Sequence, residues 1–338
     1  MLVNLYLILS LIFGGAGLTS VSSYFDAKAQ SDYSSYKIQE PPLMIIFKPY
    51  EIYPLGIKGT GIEPSVRAKS AVAIDIDNGQ TLFAYNDKQV LPMASLTKIM
   101  TATIALERIG NFNTPVIISR NAALIEGSRM NLWIDEKITL TDVLYGLILK
   151  SGNDAAVTLE EYYNNNLRAK TSCETKTKDL SATPDPRKKE TPQECPSFVD
   201  LMNQKAKDLG LNEMKYEDSS GISENNTSSA RDLALLLNYS MKNSKFREIM
   251  ATPRYTGHAL NGSLEHPMNT TNRLLTTRSD VLAGKTGYSE AAGYNLITLF
   301  KSPEGHQIVT IVFGTWGIDE RFNETNKIID WVYNYYRY

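Results

Sequence analysis

The sequence is 338 residues long, enough for one large domain or two, and its 35 basic residues stand against 37 acidic ones. A formal net charge of −2 gives no reason to expect nucleic acid as a partner. Its three histidines, His258, His266 and His306, are far apart and show no ligand spacing, which argues against a zinc site and against a Ser-His-Asp triad. A serine hydrolase built from this chain would have to use lysine as its base.

Positions 2 to 18 are almost entirely apolar, and no Lys or Arg precedes Lys28. Residues 1–27 therefore read either as an export signal, with Ala27-Lys28-Ala29 as a small-x-small cleavage site, or as an uncleaved membrane anchor. Both readings put the rest of the chain in the cell envelope, and the second implies membrane association through this segment. Residues 28–67 read as a linker and N-terminal extension, polar and aperiodic at first and then mixing Met44-Ile45-Ile46-Phe47 with Pro and Gly.

The folded domain is expected over 68–338. Residues 70–85 form two strand-like runs joined through Asp77-Asn78-Gly79, a hairpin signal. They lead into Pro92-Met93-Ala94-Ser95-Leu96-Thr97-Lys98-Ile99-Met100, a loop entering a helix, in which Ser95 and Lys98 fall one turn apart on one face. A hydroxyl needs a positioned base, and a lysine serves when burial or a second cation keeps it neutral. The helix N-terminus adds partial positive charge beside a developing oxyanion. The same spacing also occurs at Ser34 and Lys37, in the polar extension, so the pair alone is a weak signal.

Further on, residues 120–125 suggest a short helix and 126–130 a turn-rich piece. Thr139-Leu140-Thr141-Asp142 opens a helix with a capping pattern, which Ser151-Gly152-Asn153 interrupts before the apolar pattern resumes at Ala155. Such a break exposes a hydroxyl and an amide at a cleft. A plain capping turn is the competing explanation, and Ser223-Glu224-Asn225 shows how readily one arises. Residues 164–197 turn rich in Lys, Glu, Thr and Pro and are flanked by Cys173 and Cys195, the only cysteines. The segment reads as an insertion, and an exported chain is expected to pair those two cysteines across it.

Helices are then expected over 198–209 and 227–237, with a turn at 216–222 between them and irregular chain over 252–280. Ala283-Gly284-Lys285-Thr286-Gly287 is expected at the exposed end of a strand, followed by strands over 293–300 and 307–313 and a helix from Phe322. Two strands, a block of helices, three strands and a final helix make an α/β chain: a mainly antiparallel sheet flanked by helices with an inserted helical domain. Ser95, the Ser151 turn and the Lys285 strand could meet in the cleft between sheet and helical block. There Lys285 would offer charge to a substrate carboxylate and help keep Lys98 neutral. Thr286 would add a hydroxyl, and Gly287 would let an extended peptide pair alongside the strand.

The three elements in this order, with Ser229-Ala230-Arg231-Asp232, Asn272-Arg273-Leu274-Leu275 and Ala292-Gly293-Tyr294-Asn295 around them, resemble the low-molecular-mass penicillin-binding proteins of the D-alanyl-D-alanine carboxypeptidase type. The resemblance runs from about Ser70 to the C-terminus and implies the serine β-lactamase/DD-peptidase-like fold. It implies that Ser95 attacks the penultimate D-alanine of a peptidoglycan stem peptide while Lys98 takes its proton. Ser151 would relay a proton to the leaving amine, and Asn153 would hold the substrate amide and orient Lys98. The backbone N–H groups of Ser95 and Tyr288 would form the oxyanion hole, and Arg321 would bind the terminal carboxylate. β-Lactam antibiotics would acylate Ser95, and no cofactor or metal is expected. The insertion departs from the family pattern, as does a C-terminus with neither the β-rich second domain nor the amphipathic anchor of many carboxypeptidases. A DD-endopeptidase cutting cross-links is thus a competing reading. Weaker alternatives are a class A β-lactamase, which normally carries Ser-Asp-Asn and a deacylating glutamate, and an inactive peptidoglycan-binding module.

Overall fold

A computed structural model describes residue 58 and residues 61–168 and 195–337. The expectations for 1–27, for most of 28–67 and for Cys173 and the body of the insertion lie outside the described residues. Strands β1 (Ser70–Asp75) and β2 (Thr81–Tyr85) form the expected hairpin, and a short β3 (Leu91–Pro92) leads into a 3-10 turn, Ala94–Thr97, continued by α1 (Lys98–Arg108). After β4 (Pro115–Ile117) and α2 (Arg120–Leu124) come β5 (Lys137–Thr139), α3 (Leu140–Leu149) and α4 (Asn153–Tyr162). The Thr139 hydroxyl accepts from the Asp142 N–H to cap α3, as its sequence pattern indicates.

Beyond the insertion lie α5 (Phe198–Asp208), β6 (Thr227–Ser228), α6 (Ala230–Ser240) and α7 (Ser244–Met250). Here the expected helix start at 227 is corrected. Thr227 and Ser228 pair with Pro92 and Leu91, and the cap is Ser229, whose side chain accepts from the Asp232 N–H. The stretch expected to be irregular is also corrected: β7 (Arg254–His258) and β8 (Glu265–Asn269) form a hairpin, followed by a one-turn α8 (Leu274–Thr277). The hairpin strands carry Gly257 and Pro267 and bury only alternate residues, so their pattern is faint. The chain closes with β9 (Val281–Ser289), β10 (Gly293–Lys301), β11 (Gln307–Thr315) and α9 (Glu320–Tyr335).

The main sheet is antiparallel with strand order β2-β1-β11-β10-β9. Its central strands are apolar on both faces because both are covered. Val309, Ile311 and Phe313 face the helical block together with Val72, Ile74, Ile297 and Leu299. Ile308 and Val312 face α9, with Ala71, Leu296 and Phe300, against Phe322, Ile328, Ile329 and Val332. This alternation sets what each β9 residue sees, since cross-strand partners share a face. Lys285 pairs with Ile297 and so points into the helical block. The expectation that Lys285 sits at an exposed strand end is corrected: it lies inside β9 and is 1% exposed, because the helical layer covers that face of the edge strand.

Candidate active site

Ser95 lies in the 3-10 turn and Lys98 opens α1, so the three-residue spacing brings the Lys98 Nζ to 2.9 Å from the Ser95 Oγ. Lys98 is fully buried. It donates to the Asn153 Oδ1 at 2.7 Å and to the Ser220 carbonyl. Burial pushes the amine down to about 7, overcoming the opposite pull of the Asp218 and Asp154 carboxylates. A lysine half deprotonated near pH 7 and hydrogen-bonded to a serine hydroxyl is the arrangement a lysine base requires.

The Ser151 turn joins α3 to α4. Ser151 itself has φ +55, a left-handed conformation that ordinary side chains rarely adopt and that concentrates at functional sites. Gly152 is required beside it, because a Cβ there would meet the Asp154 Oδ1 at 2.6 Å and the Met130 N at 3.2 Å. The Ser151 Oγ accepts from the Lys285 Nζ at 2.7 Å, and the same amine donates to the Thr286 carbonyl at 2.7 Å. Burial, followed by repulsion from Lys98 and Arg321, holds Lys285 well below the usual lysine range. Lys98 is lowered by burial, and its charge bears on Lys285.

Asn153 begins α4, donating from its backbone to the Ser128 carbonyl at 2.7 Å and from Nδ2 to the Glu126 carbonyl at 2.6 Å. Its carboxamide is thereby fixed with Oδ1 toward Lys98. On β9, the Thr286 Oγ1 lies 2.6 Å from the Thr271 Oγ1. A Cβ on Gly287 would stand 3.0 Å from the Met93 carbonyl oxygen and 3.3 Å from the Leu96 N, so a bare backbone lets the strand lie against the Ser95 turn. Tyr288 follows, 52% exposed, its ring stacked on Tyr294 at 4.3 Å. Arg321 comes from the first turn of α9 and is buried, with Nη1 3.3 Å from the Gly287 carbonyl oxygen. Burial, and secondarily Arg273, lower it to about 10. Among the described residues its Nε has no hydrogen-bond partner.

Ser95, Lys98, Asn153, Ser151 and Lys285 thus converge, with β9 and Arg321 along one side. Cys195 is not part of this cluster; it is disulfide-bonded, and its carbonyl accepts from the Arg168 Nε at 2.6 Å. The turn at 218–223 was legible only as a turn, yet it supplies the carbonyl of Ser220 to Lys98. The Asp218 carboxylate shapes it by accepting from the N–H groups of Ser220 and Gly221 at 2.6 Å and of Ser223 at 2.7 Å. Gly221, at φ +84, leaves no room for a Cβ, which would overlap the Ala94 carbonyl. The sole sequence signal was turn chemistry, Asp-Ser-Ser-Gly, which says nothing about what the turn faces.

Residues 58–169 and 192–316 match a family model described as D-alanyl-D-alanine carboxypeptidase. The chain is 29% identical over 275 residues to the D-alanyl-D-alanine carboxypeptidase DacF of Bacillus subtilis, an alignment covering 80% of this chain and 63% of that protein. It is 24% identical over 293 residues to the D-alanyl-D-alanine endopeptidase of Escherichia coli, covering 86% and 85%. Among solved structures, the Streptomyces K15 DD-transpeptidase superposes with a TM-score of 0.67 at 26% identity, over 81% of this chain and 99% of that one.

Proposed function

The chain belongs to the D-alanyl-D-alanine carboxypeptidase family, and on that premise we propose that it hydrolyses the terminal D-alanyl-D-alanine bond of peptidoglycan stem peptides through an acyl-enzyme on Ser95. The observation that carries this reading is the Ser95 hydroxyl 2.9 Å from a buried lysine amine lowered to about 7. In the first half-reaction the Ser95 Oγ attacks the penultimate D-alanine carbonyl and Lys98 takes the hydroxyl proton. The oxyanion is met by the backbone N–H groups of Ser95 and Tyr288. Lys98 returns that proton through the Ser151 hydroxyl to the leaving amine as the C–N bond breaks and free D-alanine departs. Water then attacks the ester and restores Ser95.

Asn153 holds the substrate amide and keeps Lys98 oriented. Lys285, Thr286 and Arg321 recognise the terminal carboxylate. Gly287 admits the peptide backbone beside β9. β-Lactams present a strained amide to the same serine and acylate it. The site of action is extracytoplasmic, which the disulfide at Cys195 supports. Residues 1–27 provide export or a membrane anchor, and 68–338 form the catalytic domain carrying the insertion; among the described residues no helix is long and apolar enough to cross a membrane.

A DD-endopeptidase is the second reading, supported by the similarity to the Escherichia coli endopeptidase over 85% of that protein's length. Mass spectrometry after incubation with a pentapeptide muropeptide, a cross-linked dimer and benzylpenicillin separates the readings. Loss of one alanine and a penicilloyl adduct on Ser95 are expected. Cleavage of the dimer alone would move the assignment to endopeptidase, and rapid penicillin hydrolysis with both peptides intact would mean a β-lactamase. No adduct and no cleavage would leave a binding module.

A further inference from the structure

The imidazole of His266 has no part in the chemistry above, yet it stands at one end of an unbroken series of contacts that finishes on Asn153. His266 comes from β8 and Glu136 from the chain entering β5. Both side chains are 3% exposed, with the His266 Nε2 2.6 Å from the Glu136 Oε1. The other ring nitrogen, Nδ1, lies 3.3 Å from the Met130 carbonyl oxygen. A carboxylate and a carbonyl only accept, so a doubly protonated ring satisfies both. The second Glu136 oxygen, Oε2, accepts from the Trp133 N–H at 2.9 Å.

Residues 126–136 are thus fastened at their far end by Glu136 and His266. In the middle, the buried Asp154 carboxylate accepts from the N–H groups of Met130 at 3.0 Å, Asn131 at 2.9 Å and Leu132 at 3.1 Å. At the near end the same segment presents its Glu126 and Ser128 carbonyls to Asn153. Asn153 in turn accepts from the Lys98 amine. A Cβ on Gly127 would meet the Asn153 Nδ2 at 2.7 Å, so the segment and the carboxamide are in tight register.

We infer that Glu136 and His266 are positioning residues for the reaction, holding residues 126–136 in the arrangement that fixes the Asn153 carboxamide and, through it, the Lys98 amine. A buried ion pair seldom stabilises a fold more than apolar side chains of the same size would. What this pair adds is direction: two acceptors from one segment meet one ring at fixed angles. The inference rests on the proposed acylation of Ser95 by way of Lys98.

The test uses the full-length chain and benzylpenicillin, separating the limiting acylation rate from the dissociation constant of the non-covalent complex, with a thermal melt of every variant. Glu136→Gln and His266→Gln are each expected to slow acylation at least about tenfold, within the roughly 100-fold cost of misplacing a catalytic group by an ångström. The dissociation constant should stay near that of the parent. Glu136→Gln/His266→Gln should be no slower than the slower single variant, since the two residues act as one unit. If a single variant fails to fold, the double variant, which buries no unpaired charge, is read in its place. Variants that melt cooperatively and are acylated at the parent rate would overturn the inference, as would effects confined to the dissociation constant. A parent that benzylpenicillin never acylates would sink the Ser95 reading itself, and this inference with it.

Discussion

Lys98 is the residue on which the proposed chemistry turns. Its amine is fully buried, and burial lowers it to about 7, so it is half neutral near physiological pH. As a base it must be unprotonated before Ser95 attacks. The acylation rate should therefore climb as pH rises through about 7 and fall about tenfold per pH unit below it. A stopped-flow pH profile with benzylpenicillin checks this, and a rate flat from pH about 5 to 9 would remove Lys98 from the role. Lys98→Arg keeps the charge but cannot release a proton in this range, so acylation should drop at least about 100-fold. The stability consequence has a definite sign. Unfolded, the lysine titrates near 10.5, so between about 7 and 10.5 the unfolded chain holds the extra proton and stability rises with pH across that window.

The same residues depend on elements that do no chemistry. The 3-10 turn that carries Ser95 is packed from two sides by bare backbone, Gly287 of β9 and Gly221 of the 218–223 turn. Ala94, just ahead of the serine, has φ +48, and the surroundings hold it there. Gly221→Ala would put a side chain into a left-handed position and against the Ala94 carbonyl. The backbone term alone costs about 1–2 kcal/mol. Urea denaturation should show a loss at least that large. Acylation should also slow, because the turn supplies the Ser220 carbonyl that holds Lys98. A stable, fully active Gly221→Ala variant would mean the turn yields more easily than its geometry implies.

In the molecule as a whole, the sheet separates two apolar layers with different duties. The layer toward the helical block backs the site, and the layer under α9 locks the final helix onto the sheet. Ile328 is fully buried in the second layer. Ile328→Ala should cost about 2–5 kcal/mol, as large-to-small changes in a packed core do. Well below its melting temperature the variant should still be acylated by benzylpenicillin at close to the parent rate, since Lys98 and Ser151 belong to the other face. A slowed acylation in the folded variant would show that the two layers are coupled, through β9 or through Arg321 in the first turn of α9.

The sequence by itself determined the local chemistry. Ser95 and Lys98 three residues apart, the hairpin at Asp77-Asn78-Gly79, the cap at Thr139 and the break at Ser151 were all legible, because each depends on backbone periodicity or turn preference within a few residues. The break at Ser151 exposed Asn153, the strand pattern carried Lys285 and the family resemblance named Arg321, but no local pattern predicts their partners. Asn153 reaches Lys98 across 55 positions, and Lys285 reaches Ser151 across 134. The hairpin of β7 and β8 was missed because its apolar alternation is weak. The burial of Lys285 was missed because a strand cannot announce which layer will cover it. Only the tertiary structure decided that Asp218 shapes the turn beneath Lys98 and that a histidine on β8 meets the segment whose near end contacts Asn153. Those links are made by β-sheet register and helix packing, which join residues by distance in space and leave no mark in their spacing along the chain.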